Sequence, residues 1–255
     1  PNEDHEVSEE VERNFKKSGI KITKGVKVSK IQSMKQNAKV YLEKKANDEI
    51  IKVEKVLLAV GVTGNINNLG LEDLGIETEA GAIKTDNFNR TNIENIYAIG
   101  DVCGPPWLAH VASAQGHLAA EHSAGLNVNP IDYSNIPGCT YCQPQVGSLG
   151  MTEEQALSSG FKVKVGRFSF QVSGKAMAVG DTVGFVKLIF DEKYGELLGA
   201  HIVGSEATEM IAELGMAKAL EGTWDDLSMT VHAHPTLSEA IMEAAMDAQG
   251  HSIHQ

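Results

Sequence analysis

Two short runs that are apolar throughout place the strongest constraint on how this chain folds. Val56–Val60 ends at Gly61, and Ile96–Ile99 ends at Gly100-Asp101. A strand with one wet face alternates apolar and polar residues, whereas a strand covered on both faces is apolar along its length. The two runs therefore predict buried strands of an α/β sheet.

The first half of the chain also contains weaker patterns. A helix is predicted over Asp4–Ser18, because apolar residues recur every four positions, the first turn is acidic and Gly19 is a stop signal. An Ala-rich stretch predicts a second helix over Ala109–Ala124, in which Gly116 indicates the close approach of another backbone. Period-two pairs predict the strands of a small sheet, and these pairs are Ile20 and Ile22, Val26 and Val28, Val40 and Leu42, and Ile51 and Val53.

The pattern changes from about Asn135 onward. Thr152–Gln155 forms a capping box for a short helix. Three alternating segments follow, namely Val163–Val172, Val183–Phe190 and Leu197–Val203. Two helices are predicted after them, over roughly Glu206–Glu221 and Leu237–Ala248. Strands followed by helices predict an antiparallel α+β domain.

Composition excludes several classes of function. The formal net charge is −12, without a Lys/Arg cluster, which argues against nucleic acid and anionic membranes as partners. No apolar run is long enough to cross a bilayer, and no secretory signal is visible. Three cysteines cannot form a disulfide framework, so we expect a reducing cytoplasm. Because the first residue is Pro1, we expect a removed initiator or a missing start.

The first candidate site follows the second apolar run. Asp101 would stand at the carboxyl edge of the sheet, where ligands of open α/β sheets bind, and could accept hydrogen bonds from sugar or polyol hydroxyls. The helix that starts near Ala109 would offer free N–H groups to an electron-rich group. An isolated Gly-Asp usually just begins a turn, but the flanking strand and helix favour a site.

The second candidate site is the string His232-Ala233-His234-Pro235-Thr236-Leu237-Ser238-Glu239. An imidazole whose second nitrogen is held by a carboxylate suits acid–base chemistry near neutral pH. Glu239 would fix the tautomer of His234 and favour its charged form. Thr236–Glu239 is also a capping box, so Glu239 could equally serve the start of the last helix. Spacing alone leaves both interpretations open.

Other chemistry-bearing residues predict structural roles. Cys139 and Cys142 lie among Pro and Gly residues rather than at a helix start, and a second cysteine pair for zinc is absent. His251 and His254 are expected to be exposed end residues rather than metal ligands, so no metal site is predicted.

With these motifs in place, the chain resembles the pyridine nucleotide–disulfide oxidoreductases, most closely the dihydrolipoamide dehydrogenase type. The matching strings occur in family order and are Val56–Gly61, Asn95–Val102, Leu108–His110 and His232–Glu239. The resemblance implies α/β plus α+β architecture. Residues 1–63 would be a remnant of the NAD domain, 64–133 a second FAD-domain segment, and 134–255 an antiparallel-sheet dimerisation (interface) domain.

The resemblance also implies roles for individual residues. Asp101 would bind the ribityl–phosphate part of FAD, and NAD would approach Gly61 and Val28. His234 would deprotonate a dihydrolipoamide thiol, with Glu239 orienting it, at the other subunit of a homodimer. The residues at the start of the second predicted helix would lie along the flavin, and they are Trp107, Leu108, Ala109 and His110.

Two family motifs are missing from the sequence. No two glycines are two positions apart, which excludes Gly-x-Gly-x-x-Gly, and no two cysteines have four residues between them. We therefore expect a C-terminal portion of a parent that oxidises protein-bound dihydrolipoamide with NAD through FAD and a cysteine pair. This portion alone would be inactive and would not retain FAD.

The same resemblance implies binding partners and leaves alternative functions to consider. The implied partners are a second copy and the lipoyl domain of a 2-oxoacid dehydrogenase or glycine cleavage complex. The alternatives are a mercuric or glutathione reductase, or a dimerisation module without catalysis. Mercuric reductases usually end in a cysteine pair, whereas this sequence ends with Ser252–Gln255.

Overall fold

The computed structural model describes residues 2–43 and 49–254. They divide into two compact units, one of Pro1–Ile22 with Asp132–Gln255 and the other of Thr23–Ile131. Each unit is described by itself. The three-part division into residues 1–63, 64–133 and 134–255 stays a prediction.

Helix α1 spans His5–Lys17, as its apolar repeat predicts. The side chain of Asp4 caps it by accepting a hydrogen bond from the N–H of Glu6 at 3.1 Å. Val7 is fully buried and packs with Val146 and Val203, so this helix belongs to the unit of the C-terminal residues.

The unit of Thr23–Ile131 contains the predicted small sheet. Its antiparallel strands are β1 (Lys27–Ser33), β2 (Ala38–Glu43) and β3 (Glu49–Val53), in that order. Val28 lies opposite Leu42, and Val40 lies opposite Ile51, which confirms the period-two interpretation there. Ile20, Ile22 and Val26 belong to no strand, so that part of the prediction is wrong.

The prediction of two buried strands is wrong in this structure. Val56–Val60 has no strand geometry, and the side chains of Leu57 and Val60 are about nine-tenths exposed, at 90% and 86%. Ile96–Ile99 forms a single bridge, between Tyr97 and Arg90. A central strand needs neighbouring strands as well as apolar side chains, and among the described residues neither run has them.

The second apolar run nevertheless contributes to a core. Ala98 is buried with Leu71, Ile76 and Ile83, next to a hairpin of β4 (Thr78–Glu79) and β5 (Ala82–Ile83). A 3₁₀ turn follows at Gly100–Cys103, and helix α2 then spans Ala109–Ser123, as predicted.

Gly116 of α2 corrects one expectation. The group that approaches it is the side chain of Ile99, whose Cδ1 would lie 3.3 Å from an added Cβ, rather than another backbone.

The other unit is built on a five-stranded antiparallel sheet in the order β6-β7-β10-β9-β8. Its strands are β6 (Gly138–Thr140), β7 (Gln145–Gly150), β8 (Val163–Ser169), β9 (Gly184–Asp191) and β10 (Leu197–Gly204). Its helices are α3 (Glu153–Ser158), α4 (Gly174–Val179), α5 (Ala207–Ala219), α6 (Trp224–Met229) and α7 (Glu239–Ala248). The α+β prediction is thus confirmed, although β6, β7, α4 and α6 were not predicted.

The core of this unit lies between the sheet and two helices. Helix α5 packs on β7 and β10, and α7 packs on β8 and β9. Buried side chains of both layers, such as Phe190, Leu214 and Ile241, form one cluster. None of the helices in the described part of the chain combines the length and apolar character that a membrane crossing requires.

A buried lysine fastens α1 to the sheet. The Nζ of Lys187, on β9, lies 3.0 Å from both carboxylate oxygens of Asp4, 2.6 Å from Glu6 and 2.7 Å from Glu153. Burial lowers the pKa of Lys187, but hydrogen bonds to these carboxylates outweigh it, so its pKa is raised. A buried ammonium is tolerated because it is fully paired.

Gly166 lets α7 lie directly on β8. A Cβ added there would collide with the backbone carbonyl oxygen of Ala244 and approach the backbone of Ala248. We expect Gly166→Ala to lower the free energy of unfolding by about 2 kcal/mol, because overpacking displaces the helix. Urea unfolding followed by circular dichroism measures this.

Gly215 provides the matched control, because an added Cβ there meets no atom within 4 Å inside α5. Gly215→Ala is expected to raise the stability by roughly 0.5–1 kcal/mol, since glycine is a poor helix former. Wild-type stability of Gly166→Ala would contradict the close packing of α7 on β8.

Candidate functional site

The loop between α6 and α7 carries the predicted acid–base residues. Helix α6 ends at Met229, with Thr230 as its C-cap, and α7 begins at Glu239. His234 lies within this loop, and its side chain is 79% exposed, so its ring is accessible to a reactant.

The carboxylate of Glu239 serves both functions that the spacing left open. Its Oε1 lies 2.8 Å from Nδ1 of His234, and its Oε2 accepts a hydrogen bond from the backbone N–H of Thr236 at 2.7 Å. The hydroxyl of Thr236 donates to the carbonyl of Ala233 at 2.7 Å, which closes the loop. The helix-start contact and the imidazole contact therefore use different oxygens of one carboxylate.

The electrostatics of this pair fix the tautomer of the ring. Burial raises the pKa of Glu239, but the hydrogen bonds from Thr236 and His234 outweigh it, so the pKa of Glu239 is lowered. The carboxylate is ionised near neutral pH and can only accept hydrogen bonds. Nδ1 of His234 must then carry the hydrogen, which leaves Nε2 as the nitrogen that can take a proton.

A second imidazole anchors the same loop. The side chain of His232 is 5% exposed, with Nε2 2.7 Å from a carboxylate oxygen of Glu213 on α5 and Nδ1 2.9 Å from the carbonyl oxygen of Thr230. This contact was not predicted, because the two partners are 19 residues apart and no periodic pattern joins them.

The other unit brings Asp101 to the start of α2. The N–H of Gly100 donates to the side chain of Gln115 on α2 at 2.7 Å, and the indole of Trp107 donates to the carbonyl of Asp101 at 3.3 Å. The Asp101 carboxylate is exposed and accepts no hydrogen bond from the described residues. Leu108 is the N-cap of α2 and cannot cap it with its side chain.

The uncapped start of α2 suits an electron-rich ligand group. Its first residues, Ala109 and His110, are exposed, and the first N–H groups of a helix have no intrahelical partner. A carboxylate that can accept hydrogen bonds from hydroxyls and a helix start that can bind an electron-rich group therefore occur together in this unit.

The two residues predicted to lie near NAD are exposed in the structure. Val28 is 50% exposed on β1. Gly61 has a φ of 137°, and an added Cβ would meet no atom within 4 Å. Their role stays a prediction.

The cysteines lack the environment of redox thiols. Cys139 lies on β6 and Cys142 in the turn after it, and burial raises the pKa of both thiols. Burial raises the pKa of Cys103 to about 11. All three are free, and the described residues contain no group of three or more His, Cys, Asp or Glu side chains that could hold a metal.

Comparisons with protein families agree along the chain. A family model described as pyridine nucleotide-disulphide oxidoreductase matches residues 1–116, and the model of that family's dimerisation domain matches residues 136–245. Together the two models cover most of the chain.

Individual relatives point to the same family. The chain is 46% identical to a dihydrolipoyl dehydrogenase of Rhizobium etli, covering 98% of this chain and 52% of that protein. It is 43% identical to one of Bacillus subtilis, covering 100% and 54%. The chain therefore spans about half the length of the curated relatives that it matches.

Two solved structures with the same fold align with nearly the whole chain. LpdA from Mycobacterium tuberculosis aligns with a TM-score of 0.88 at 26% identity, over 96% of this chain and 53% of LpdA. The HOCl-induced flavoprotein disulfide reductase RclA from Escherichia coli aligns with a TM-score of 0.88 at 25% identity, over 96% and 56%.

Proposed function

The chain belongs to the pyridine nucleotide-disulphide oxidoreductase family, and from this premise we propose that it supplies the acid–base histidine and the dimerisation domain of a dihydrolipoyl dehydrogenase. In that reaction a dithiol loses two electrons and two protons, NAD takes a hydride, and one proton is released. The proposal rests mainly on one observation, the 2.8 Å contact between His234 and Glu239.

His234 is the base in this proposal. Its Nε2 is free to take the proton of a substrate thiol, because the hydrogen on Nδ1 is held by Glu239. A thiolate attacks a disulfide far more readily than a thiol does, so removing that proton activates the substrate. The negative charge of Glu239 then stabilises the protonated ring.

The residues of the Thr23–Ile131 unit fit a flavin. The exposed carboxylate of Asp101 would bind ribityl hydroxyls, and the N–H groups of the first turn of α2, which begins at Ala109, would bind electron-rich atoms of the group. FAD, when bound, supplies the electron transfer between the dithiol and NAD. Since this sequence has neither Gly-x-Gly-x-x-Gly nor Cys-x-x-x-x-Cys, we propose that the chain alone catalyses no turnover and retains no FAD.

The upstream coding sequence tests the premise of a longer enzyme. Both missing motifs in frame ahead of Pro1 would support the proposal, and a start codon directly before Pro1 would contradict it. The partner in the cytoplasm would then be the lipoyl domain of a 2-oxoacid dehydrogenase or glycine cleavage complex.

His234→Gln is expected to lower kcat for dihydrolipoamide by about 10²–10⁴ in the protein expressed with its upstream coding sequence, because the base is lost. Stopped-flow or steady-state NADH formation measures this. His251→Gln, at an exposed position of the tail, is the control and should keep the wild-type kcat. A wild-type kcat for His234→Gln would contradict the assigned role.

The same loop borders a surface that suits a second copy of the chain. Met216 on α5 and Leu220, the C-cap of that helix, lie one turn apart and are exposed. Met229 at the end of α6 and Val231 next to His232 are exposed as well. The contact between His232 and Glu213 joins the loop that carries Val231 to α5, which carries Met216. We propose that this patch is the centre of a homodimer, in keeping with the matched dimerisation domain.

Val231 is 94% exposed. Val231→Asp is expected to weaken self-association of the chain about tenfold or more, because the interface would bury an unpaired carboxylate. Sedimentation velocity across a concentration series measures the effect. Leu157→Asp, at an exposed position of α3, is the matched control and should associate like the wild type. A monomeric wild-type chain at micromolar concentration would contradict the homodimer.

A further inference from the structure

The loop that carries His234 is held at both ends by its own helices. The hydroxyl of Thr230 donates to the carbonyl oxygen of Asp226 on α6 at 2.7 Å, and the N–H of Thr236 donates to Glu239 on α7 at 2.7 Å. Because each contact spans only three or four residues of the chain, the two contacts orient the ends of the loop and leave its middle to other contacts.

The middle of the loop is joined to a third helix. Between Met229 and Pro235 every residue except His232 is exposed. The side chain of His232 is almost fully buried, and its Nε2 lies 2.7 Å from Glu213 on α5, a helix that packs on β7 and β10. This contact therefore relates the loop to the sheet of the domain, whereas the end contacts relate it only to the adjoining helices.

Both ring nitrogens of His232 have partners in this position. Nδ1 lies 2.9 Å from the carbonyl oxygen of Thr230, which can only accept, so Nδ1 carries a hydrogen. Nε2 has the side chain of Glu213 as its partner. Removing that side chain would leave a ring nitrogen buried without a hydrogen bond, which is unfavourable. The position of the ring, and with it that of the loop, therefore depends on Glu213.

We propose that Glu213 is a positioning residue, which holds His232 and thereby fixes the loop that presents His234 to a substrate. This inference rests on the proposed function, in which Nε2 of His234 must meet a thiol in a defined geometry. Misplacing a reacting group by about 1 Å can lower a rate roughly 10²-fold. An exposed ring on a loop gains that accuracy only if the middle of the loop is held as firmly as its ends.

Backbone order parameters from ¹⁵N NMR relaxation test the proposal in the chain itself. In the wild type the amides of Val231, Ala233 and His234 should be rigid, with order parameters near about 0.85, and in Glu213→Ala they should fall below about 0.6. The amide of Val203, buried on β10, should stay rigid in both proteins, which shows that the domain is folded.

Glu213→Gln provides the decisive comparison. Its amide can donate to Nε2 of His232 while Nδ1 still donates to Thr230, so the contact persists without a carboxylate. The loop of this variant should therefore stay as rigid as that of the wild type. Glu209→Ala, at an exposed position one turn earlier on α5, is the matched control and should also leave the loop rigid.

Turnover of the protein expressed with its upstream coding sequence tests the consequence for the reaction. Glu213→Ala should lower kcat for dihydrolipoamide roughly 10–100-fold and leave the KM for NAD unchanged, because the base is misplaced while the nucleotide is bound elsewhere. Glu213→Gln should keep a kcat close to that of the wild type. The proteins are compared at concentrations where sedimentation velocity shows the same state of association.

Four results would overturn the proposal: a flexible loop in the wild type, an equally rigid loop in Glu213→Ala, a wild-type kcat in that variant, or a flexible loop in Glu213→Gln. The relaxation measurement involves neither substrate nor turnover. If His234→Gln keeps the wild-type kcat, the proposed function fails, and the order parameters still show whether Glu213 fixes the loop.

Discussion

The local structure of the proposed active site depends on one carboxylate, whose two oxygens contact two different partners. Glu239 uses one oxygen for the backbone N–H of Thr236 and the other for the ring of His234. The first contact orders the start of α7, and the second orients the imidazole. Because α7 is packed on β8 through Gly166, the position of this carboxylate is set by the core of the domain. An exposed imidazole on a loop thereby gains the orientation of a rigid element.

Local patterns predicted the elements whose stability is itself local. Helix α1 and the capping box of α3 occur as expected, since caps and amphipathic repeats act within a few residues. The buried-strand prediction for Val56–Val60 and Ile96–Ile99 was wrong, because a central strand depends on partners elsewhere in the chain. The missed elements are too short or too rich in glycine for periodicity to reveal, namely β6, β7, α4 and α6.

Within the site, contacts between residues close in sequence could be predicted, and contacts between residues far apart in sequence could not. The pairing of His234 with Glu239 was a sequence hypothesis, because five residues of one loop and helix start carry it. The anchors of His232 on Glu213, and of α1 on Lys187, join residues distant in sequence, so no spacing predicts them. The exposed position of His254 was anticipated, but not its contact with Glu243, since Glu243 shows its buried carboxylate only once α7 is packed.

The tautomer of His234 tests the central claim most directly. Long-range ¹H–¹⁵N NMR of the ring nitrogens, recorded on the chain at a pH where the ring is neutral, distinguishes which nitrogen carries the hydrogen. An ionised Glu239 requires the hydrogen on Nδ1 and a bare Nε2, and Glu239→Ala should shift the population towards hydrogen on Nε2. Hydrogen on Nε2 in the wild type, or an unchanged tautomer in Glu239→Ala, would contradict the account.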